Sequence, residues 1–386
     1  MNLLFMANNG LPRNGLVALY DPYRDTYGRN ILPVGSENFA NSSHWYDSDG
    51  AVCTVTAGQA DVNGGNGAYR IQSTGGTLQI KKRLVSGMTG ITGITLTTSV
   101  WIKVNTGKCI IRQSGILSGT DSTLLTSNTW QKIILSGLEG SGYTLSLRFL
   151  TETVSDSLDI TVFQPQFNLG QLYPYSPPAG LPQSLTDFSG RGNSAQLGSA
   201  AGADTNDPAY SGQGLVFGTD DYCISSSPAF DDMSAFTCIT VCKQNTGVAT
   251  NCRIFDKNRT GLYLRQDTRT LVGYRYRTSI DLAVSAETID TSKSIICAFS
   301  IDNNFNYRMR VNDQKLTLTN SPTSTGIMQP DAASDLFIGN KATADASFDG
   351  TIYLQAWYNR ILSDTEYMQA YNYLRRLMSS RGVSIG

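Results

Sequence analysis

One stretch near the C-terminal end combines two local patterns. Residues 352–358 place an apolar side chain at every second position, which is the period of a β-strand. Ser363-Asp-Thr-Glu366 is a capping box. The Ser363 hydroxyl can accept from the Glu366 amide, and the Glu366 carboxylate can accept from the Ser363 amide. Apolar residues then recur at helical spacing, with Gly382 placed to end the helix; they are Tyr367, Tyr371, Leu374 and Met378. The stretch therefore predicts a strand, a turn and one C-terminal helix.

The same stretch resembles the last strand of the laminin-G-like, concanavalin-A-like jelly rolls. The matching residues are Phe348, Gly350, Ile352, Tyr358, Asn359, Arg360, Leu362, Ser363 and Glu366. Gly15-Leu-Val-Ala18 is similar to the first strand of that family. The Asp-x-Ser-Gly-x-Gly-Asn turn that should follow closely is found only at Asp187–Asn193. The resemblance implies two packed antiparallel sheets and often glycan binding, and it does not imply an enzyme.

An inserted domain is the simplest explanation of this long interval, since exposed loops tolerate insertions whose ends lie close together. Alternating hydrophobic residues predict strands within it at 96–104, 143–149 and 158–162. Its ends, Asn38–Tyr46 and Phe163–Pro177, resemble carbohydrate-binding-module-like sandwiches of bacteriophage tail and virion proteins. Phe167 stands where those sandwiches usually have Glu.

The predicted fold class is therefore all-β, with two β-sandwiches and one C-terminal α-helix. A discontinuous jelly roll is predicted over 15–29 and 180–386, and the inserted sandwich over 30–176. Residues 1–14 are predicted to be an N-terminal docking tail.

Composition excludes several classes of function. Charged residues make up only 16% of the chain, the formal net charge is −1, and Lys and Arg are dispersed, so we expect no nucleic-acid binding. The sequence has no run of about 18 apolar residues, so we expect no membrane span. The first ten residues are too polar for a secretory signal. The seven cysteines lie mostly in apolar runs, which favours buried thiols in a reducing cytosol over disulfides or a zinc site.

Few residues are suited to catalysis. His44 is the single histidine, which argues against a nucleophilic triad. None of the five glutamates has the paired-carboxylate spacing of a concanavalin-A-like glucanase. We therefore predict a protein that is not an enzyme and has no cofactor, with calcium left open because four turn aspartates could converge at the jelly-roll rim. They are Asp187, Asp220, Asp221 and Asp349, of which Asp187 and Asp349 are the metal candidates; capping of the local backbone is the stronger interpretation.

Aromatic side chains are the usual platforms for sugars, because a flat ring covers the apolar face of a pyranose. Trp45 and Tyr46, in a polar segment that opens the inserted domain, are the candidate carbohydrate-binding residues. Packing of the domain edge is the favoured alternative for Trp45. We assign Trp101 and Trp130 to the core, and Trp357 to the core beneath the helix in preference to a surface platform.

These features favour a structural bacteriophage virion protein, synthesised in the host cytoplasm and displayed on the particle as a tail-associated adhesin or capsid decoration. Its expected partners are other virion proteins, further copies of itself and host surface glycans. One alternative is a purely architectural module that contacts other virion proteins. A glycoside hydrolase is the least favoured alternative.

Overall fold

The computed structural model describes residues 10–46, 53–74, 79–84, 95–114, 120–138, 146–153, 156–176, 178–179, 181–200, 204–211, 213–231, 233–245, 251–265, 267–276, 280–302, 304, 306–319, 334–340 and 348–386. Most of the predicted docking tail lies outside these residues. The chain divides into two compact units. The terminal unit consists of the residues up to Asp25, Gln183–Pro208 and Gln213–Gly386, and the central unit consists of Thr26–Pro182 and Ala209–Gly212.

Antiparallel β-strands dominate the described residues, which confirms the predicted all-β class. The first eleven strands are β1 Leu16–Tyr20, β2 Trp45–Tyr46, β3 Cys53–Gln59, β4 Ala68–Ser73, β5 Gln79–Leu84, β6 Thr95–Thr106, β7 Cys109–Ser114, β8 Thr120–Asp121, β9 Gln131–Leu138, β10 Ser146–Thr151 and β11 Leu158–Leu169. The others are β12 Ser184–Leu185, β13 Ala195–Leu197, β14 Ala209–Tyr210, β15 Leu215–Phe217, β16 Cys223–Ser225, β17 Phe236–Gln244, β18 Asn251–Lys257, β19 Thr260–Arg265, β20 Thr270–Tyr276, β21 Ile280–Val284, β22 Ile295–Ile301, β23 Arg308–Val311, β24 Gln314–Lys315, β25 Leu336–Ile338 and β26 Gly350–Tyr358.

Helical structure is sparse. The C-terminal helix spans Asp364–Ser380, as predicted, and a five-residue helix spans Pro22–Thr26. The described residues also include one 3-10 turn, at Pro228–Phe230. Within the described part of the chain, no helix combines the length and apolar character that a membrane span requires.

The central unit contains two five-stranded antiparallel sheets. The β6 sheet has the order β3-β4-β11-β6-β9, and the β10 sheet has the order β2-β5-β10-β7-β8. Alternation explains the core, because every second residue of β6 from Leu96 to Val104 is buried. The predicted strands 96–104 and 158–162 fall within β6 and β11. Residues 143–145 of the third predicted strand lie outside the described residues.

Two larger antiparallel sheets form the terminal unit. The β26 sheet runs β15-β26-β17-β22-β23-β24, with β1 also pairing with β26, and the β18 sheet runs β12-β13-β16-β25-β18-β19-β20-β21. Aromatic rings fill the space between them. The ring centroid of Phe255, from β18, lies 4.6 Å from that of Trp357 in β26 and 6.3 Å from that of Phe299 in β22. Trp357 is therefore core between the sheets, and its predicted position beneath the helix is wrong.

The C-terminal helix packs on the other face of the β26 sheet. Its predicted capping box is confirmed: the Ser363 hydroxyl accepts from the Glu366 amide at 3.3 Å, and the Glu366 carboxylate accepts from the Ser363 amide at 2.9 Å. Gly382 ends the helix with φ +77°, a conformation that glycine adopts readily. One buried cluster joins the predicted helix stripe to the sheet; it includes Ile239, Val241, Leu354, Ala356, Tyr358, Tyr367, Tyr371, Leu374 and Met378.

A bulge interrupts the alternation of β26. Leu354 lies opposite Val241 of β17, whereas Ile352 lies opposite the adjacent Cys242, so Tyr353 is an extra residue. Residues directly opposite each other share a face of the sheet. Ile352 therefore lies on the face that packs against the β18 sheet, and the prediction that it shares a face with Leu354 is wrong.

The turn Asp187–Asn193 is held against β1 by hydrogen bonds. The Asp187 carboxylate accepts from the backbone amide of Leu19 at 3.0 Å. It also accepts from the amide and the hydroxyl of Ser189, each at 2.8 Å, and from the amide of Asn193 at 2.9 Å. The Tyr20 hydroxyl donates to the carbonyl oxygen of Asn193 at 2.6 Å. This turn thus belongs to the same unit as β1.

A buried ion pair connects the end of the C-terminal helix to the end of β1. Both terminal nitrogens of Arg381 donate to Asp21, one to each carboxylate oxygen, at 2.7 Å. The two side chains are only 3% and 2% exposed. The guanidinium also lies 4.3 Å from the ring centre of Tyr23. Because an unpaired buried charge is strongly unfavourable, each group depends on the other.

We expect Arg381→Leu to lower the free energy of unfolding by about 3–5 kcal/mol, because Asp21 would remain buried without its counter-charge. Arg376→Leu is the matched control, since Arg376 is exposed on the same helix and its loss should change stability by about 0.5 kcal/mol or less. Urea denaturation followed by circular dichroism measures both. Equal stability of the two variants would contradict the role assigned to the pair.

A second prediction concerns pH. Hydrogen bonds from Arg360 and, next, from the Ser363 amide lower the pKa of Glu366 from 4.5 to about 2. A lowered folded-state pKa stabilises the folded form above pH 4.5, and this contribution is lost as the pH falls towards 2. Glu366→Gln should therefore be less stable than the wild type at pH 7, and the difference should shrink below pH 4.5. Thermal unfolding across this range measures it, and a pH-independent difference would refute the assignment.

Candidate functional site

Trp45 lies in the core of the central unit. Its indole N–H donates to the carbonyl oxygen of Ser36 at 2.8 Å, and its ring centroid lies 4.4 Å from that of Phe39. The side chain is 0% exposed, so no part of the ring can receive a sugar. The prediction of Trp45 as a carbohydrate-binding residue is therefore wrong, and the favoured alternative, in which its ring packs within the domain, is the one the structure has. Tyr46, beside it in the edge strand β2, is half-buried.

The two metal candidates are engaged by their own surroundings. The oxygens of Asp187 already accept four hydrogen bonds from its turn and from β1, which is the capping role. Asp349 has φ +37°, and its carboxylate accepts from the side-chain amide of Asn245 at 2.8 Å. Across the described ranges, no three His, Cys, Asp or Glu side chains converge as metal ligands would.

Burial makes cysteine thiols of this chain unreactive near neutral pH, as Cys109 and Cys252 show. Six of the seven are buried, and Cys53 is half-buried. Burial raises the pKa of Cys109 to about 12 and that of Cys252 to about 11. Since the thiolate is the nucleophilic form, these two side chains act as small buried groups.

Tryptophans and polar side chains share one face of the β6 sheet. Val100, Ile102 and Val104 of β6 point into the core, so Trp101 and Lys103 between them point to the opposite face, where both are half-buried. We call this surface the tryptophan face. It consists of Arg70, Gln72, Trp101, Lys103, Asn105, Trp130, Lys132, Asp159, Thr161 and Phe163.

Strand pairing orders the side chains of the tryptophan face. Directly opposite residues on neighbouring strands lie on the same face of a sheet. Two neighbouring rows result, Phe163–Trp101–Lys132 and Arg70–Thr161–Lys103. Trp130 precedes Gln131, which lies opposite Ile102, so Trp130 continues the second row beyond Lys103. Each row therefore places a lysine next to a tryptophan.

A hydrogen-bond network fixes the polar part of the face. The Arg70 guanidinium binds both carboxylate oxygens of Asp159, with Nε at 2.9 and 3.0 Å. The side-chain amides of Gln72 and Asn105 also donate to Asp159, at 3.1 and 2.8 Å. These contacts, chiefly the hydrogen bond from Arg70, lower the pKa of Asp159. The carboxylate is therefore charged and immobilised near neutral pH.

Each tryptophan of the face has a lysine ammonium over its ring. The Lys103 ammonium lies 5.8 Å from the ring centre of Trp130, and the Lys132 ammonium lies 6.0 Å from that of Trp101. These distances are within the range of cation–π attraction. The arrangement can cover the apolar face of a ring-shaped ligand and bond to polar groups at its edge.

Sequence reasoning missed this face because it assigned Trp101 and Trp130 to the core. The alternation of apolar residues over 96–104 already contained the signal for Trp101. An odd-numbered position in a strand whose even-numbered positions are buried must point to the other face. Trp130 precedes its strand, and its position depends on the register of β9 against β6, which the sequence does not reveal.

No protein-family model and no curated protein matches this chain. Among solved structures, the botulinum neurotoxin serotype D/C binding domain is 16% identical with a TM-score of 0.36, covering 49% of each chain. The binding domain of Paraclostridial Mosquitocidal Protein 1 is 15% identical with a TM-score of 0.35, also covering 49% of each. The Ruminococcus gnavus IT-sialidase CBM40 is 12% identical with a TM-score of 0.30, covering 35% of this chain and 80% of that one. The match spans about half of each toxin domain, and similarity at this level carries no argument about function.

We expect Trp45→Ala to destabilise the central unit by about 3–5 kcal/mol, because it removes a fully buried ring and leaves a cavity. Tyr46→Ala is the neighbouring control and should cost clearly less, since its side chain is only half-buried. Urea denaturation followed by tryptophan fluorescence and circular dichroism compares the variants. If Trp45→Ala were as stable as the wild type, the Trp45 ring would not be part of the core.

Proposed function

We propose that this protein binds glycans and that the tryptophan face of the central unit is the binding surface. The observation that carries the proposal is the presence of two half-buried tryptophans among immobilised polar side chains on one sheet face. A tryptophan ring can cover the apolar face of a sugar while neighbouring donors and acceptors bond its hydroxyls. Trp101 and Trp130 are the proposed stacking residues.

The polar network supports binding because it reduces the side-chain conformational entropy that the protein loses when a ligand binds. Arg70, Gln72 and Asn105 are already held by Asp159 in the free protein. Side chains that are fixed before binding lose less rotamer freedom when they contact a ligand. The lysines beside the rings supply further donors at the edge of the proposed sugar site.

Binding without cleavage is the activity proposed. A glycosidase requires two carboxyl groups, and its general acid needs a raised pKa. The residues that define the tryptophan face include one carboxylate, Asp159, and its pKa is lowered by its hydrogen bonds. It is therefore unsuited to donate a proton near neutral pH.

We further propose, from the sequence resemblance of the central region, that the protein is displayed on a bacteriophage virion as a tail-associated adhesin or capsid decoration. Several copies per particle would strengthen weak sugar contacts through multivalency. The architectural alternative assigns the same face to a neighbouring virion protein. It predicts that Trp101→Ala prevents incorporation into particles and that the purified protein binds no glycan.

We expect Trp101→Ala and Trp130→Ala each to weaken glycan binding about tenfold, which corresponds to the loss of about 1.4 kcal/mol of ring contact. A glycan array with the full chain identifies the ligand, and calorimetry measures its affinity for each variant. Tyr46→Ala is the matched control, because this half-buried tyrosine lies in the β10 sheet. Unchanged affinity in Trp101→Ala would refute the site, and loss of binding in Tyr46→Ala alone would place it in the β10 sheet.

A further inference from the structure

We infer that the ligand of the tryptophan face is an acidic polysaccharide whose carboxylate groups bind beside Lys103 and Lys132. This inference rests on the proposed function and names its ligand class. It starts from the balance of charge on the face. The defining residues include three cations, Arg70, Lys103 and Lys132, and one carboxylate, Asp159.

The single carboxylate is already neutralised. Asp159 is engaged by the bidentate guanidinium of Arg70, which leaves the two lysines without compensation from it. Among the residues that the structure describes, neither Lys103 nor Lys132 has a carboxylate within the 4.0 Å of an ion pair. The face therefore has two excess positive charges available to a ligand.

Asp61 is an acidic residue near the Phe163 end of the face, where both side chains adjoin Gly67. Its carboxylate accepts hydrogen bonds from the backbone amides of Asn63, Gly65 and Gly67. Phe163 and Lys132 are separated by β6, because each lies opposite Trp101 on a different side. Asp61 therefore stabilises its own turn and does not compensate the lysines.

The order of residues along the strands pairs each charge with a ring. In one row Trp101 of β6 lies opposite Lys132 of β9, and in the next row Lys103 of β6 lies beside Trp130. The two rows are two residues apart along β6, which is about 7 Å. Each ammonium lies over its ring in the free protein, so a sugar that stacks on the ring would displace it to the edge of the sugar. A chain with an acidic group on successive sugars could therefore occupy both tryptophan–lysine pairs.

The test compares acidic polysaccharides with their carboxyl-reduced counterparts, using the full chain. Polygalacturonate, alginate, hyaluronan and polysialate, native and carboxyl-reduced, are immobilised, and binding is measured by biolayer interferometry at low and high salt. We expect at least one native polymer to bind and its reduced form to bind about tenfold more weakly. Because exposed charge pairs are screened by ions, this difference should shrink at high salt.

Charge-removing variants identify the surface responsible. Lys103→Gln and Lys132→Gln should each weaken binding of the acidic polymer about fivefold and weaken binding of the reduced polymer by a clearly smaller factor. Lys293→Gln is the matched control, because this lysine is exposed in the terminal unit. Circular dichroism establishes that each variant is folded.

The other outcomes separate this inference from the proposed function. Equal binding of native and reduced polymers, lost in Trp101→Ala and unaffected in both lysine variants, would overturn the acidic ligand and leave glycan binding intact. Binding of acidic polymers that changes in neither the lysine nor the tryptophan variants would overturn both proposals. Failure of every acidic and neutral glycan to bind would also overturn both.

Discussion

The hydrogen bonds of Asp187 are the constraint that unites two distant parts of the chain in the terminal unit. Its carboxylate binds the amide of Leu19 in β1, although the two residues are 168 positions apart. The chain between them leaves and returns at neighbouring points, since the amide of Ala179 donates to the carbonyl oxygen of Asn30 at 2.9 Å within the central unit. The central unit can therefore form its own two sheets while β1 pairs with β26.

The strand that pairs with β1, β26, has both of its faces covered. Trp357 and Phe255 fill the space on one side of it, and the C-terminal helix covers the other side through Leu374 and Met378. Both faces of this strand are thus used to stabilise the fold. In the central unit, β6 buries Val100, Ile102 and Val104 on one face, whereas Trp101, Lys103 and Asn105 on its other face are half-buried. This difference in burial directs the functional proposal to the β6 sheet.

Local patterns predicted much of the fold, and non-local pairing determined the rest. The capping box and the helix stripe depend on residues three to four positions apart, so the sequence contains them completely. The bulge at Tyr353 arises from pairing with β17 and has no local signal, which is why Ile352 was placed on the wrong face. Burial of Trp45 depends on Phe39 and on an acceptor at Ser36. The polar neighbourhood of Trp45 in the sequence left sugar binding open beside packing, because it does not show which side of the chain meets the core.

The tryptophan face has to be weighed against a simple structural role. A lysine beside a tryptophan on adjacent strands can itself stabilise a sheet, by about 0.5–1 kcal/mol at an exposed site. That effect explains one pair, but it does not require the bonded network around Asp159 on the same face. The core of β6 needs Val100 and Ile102, whereas many polar residues would satisfy the opposite positions. If stabilisation were the whole role, replacing Trp101 would lower stability and leave every binding measurement unchanged. Loss of glycan affinity without unfolding is the result that only a binding surface explains.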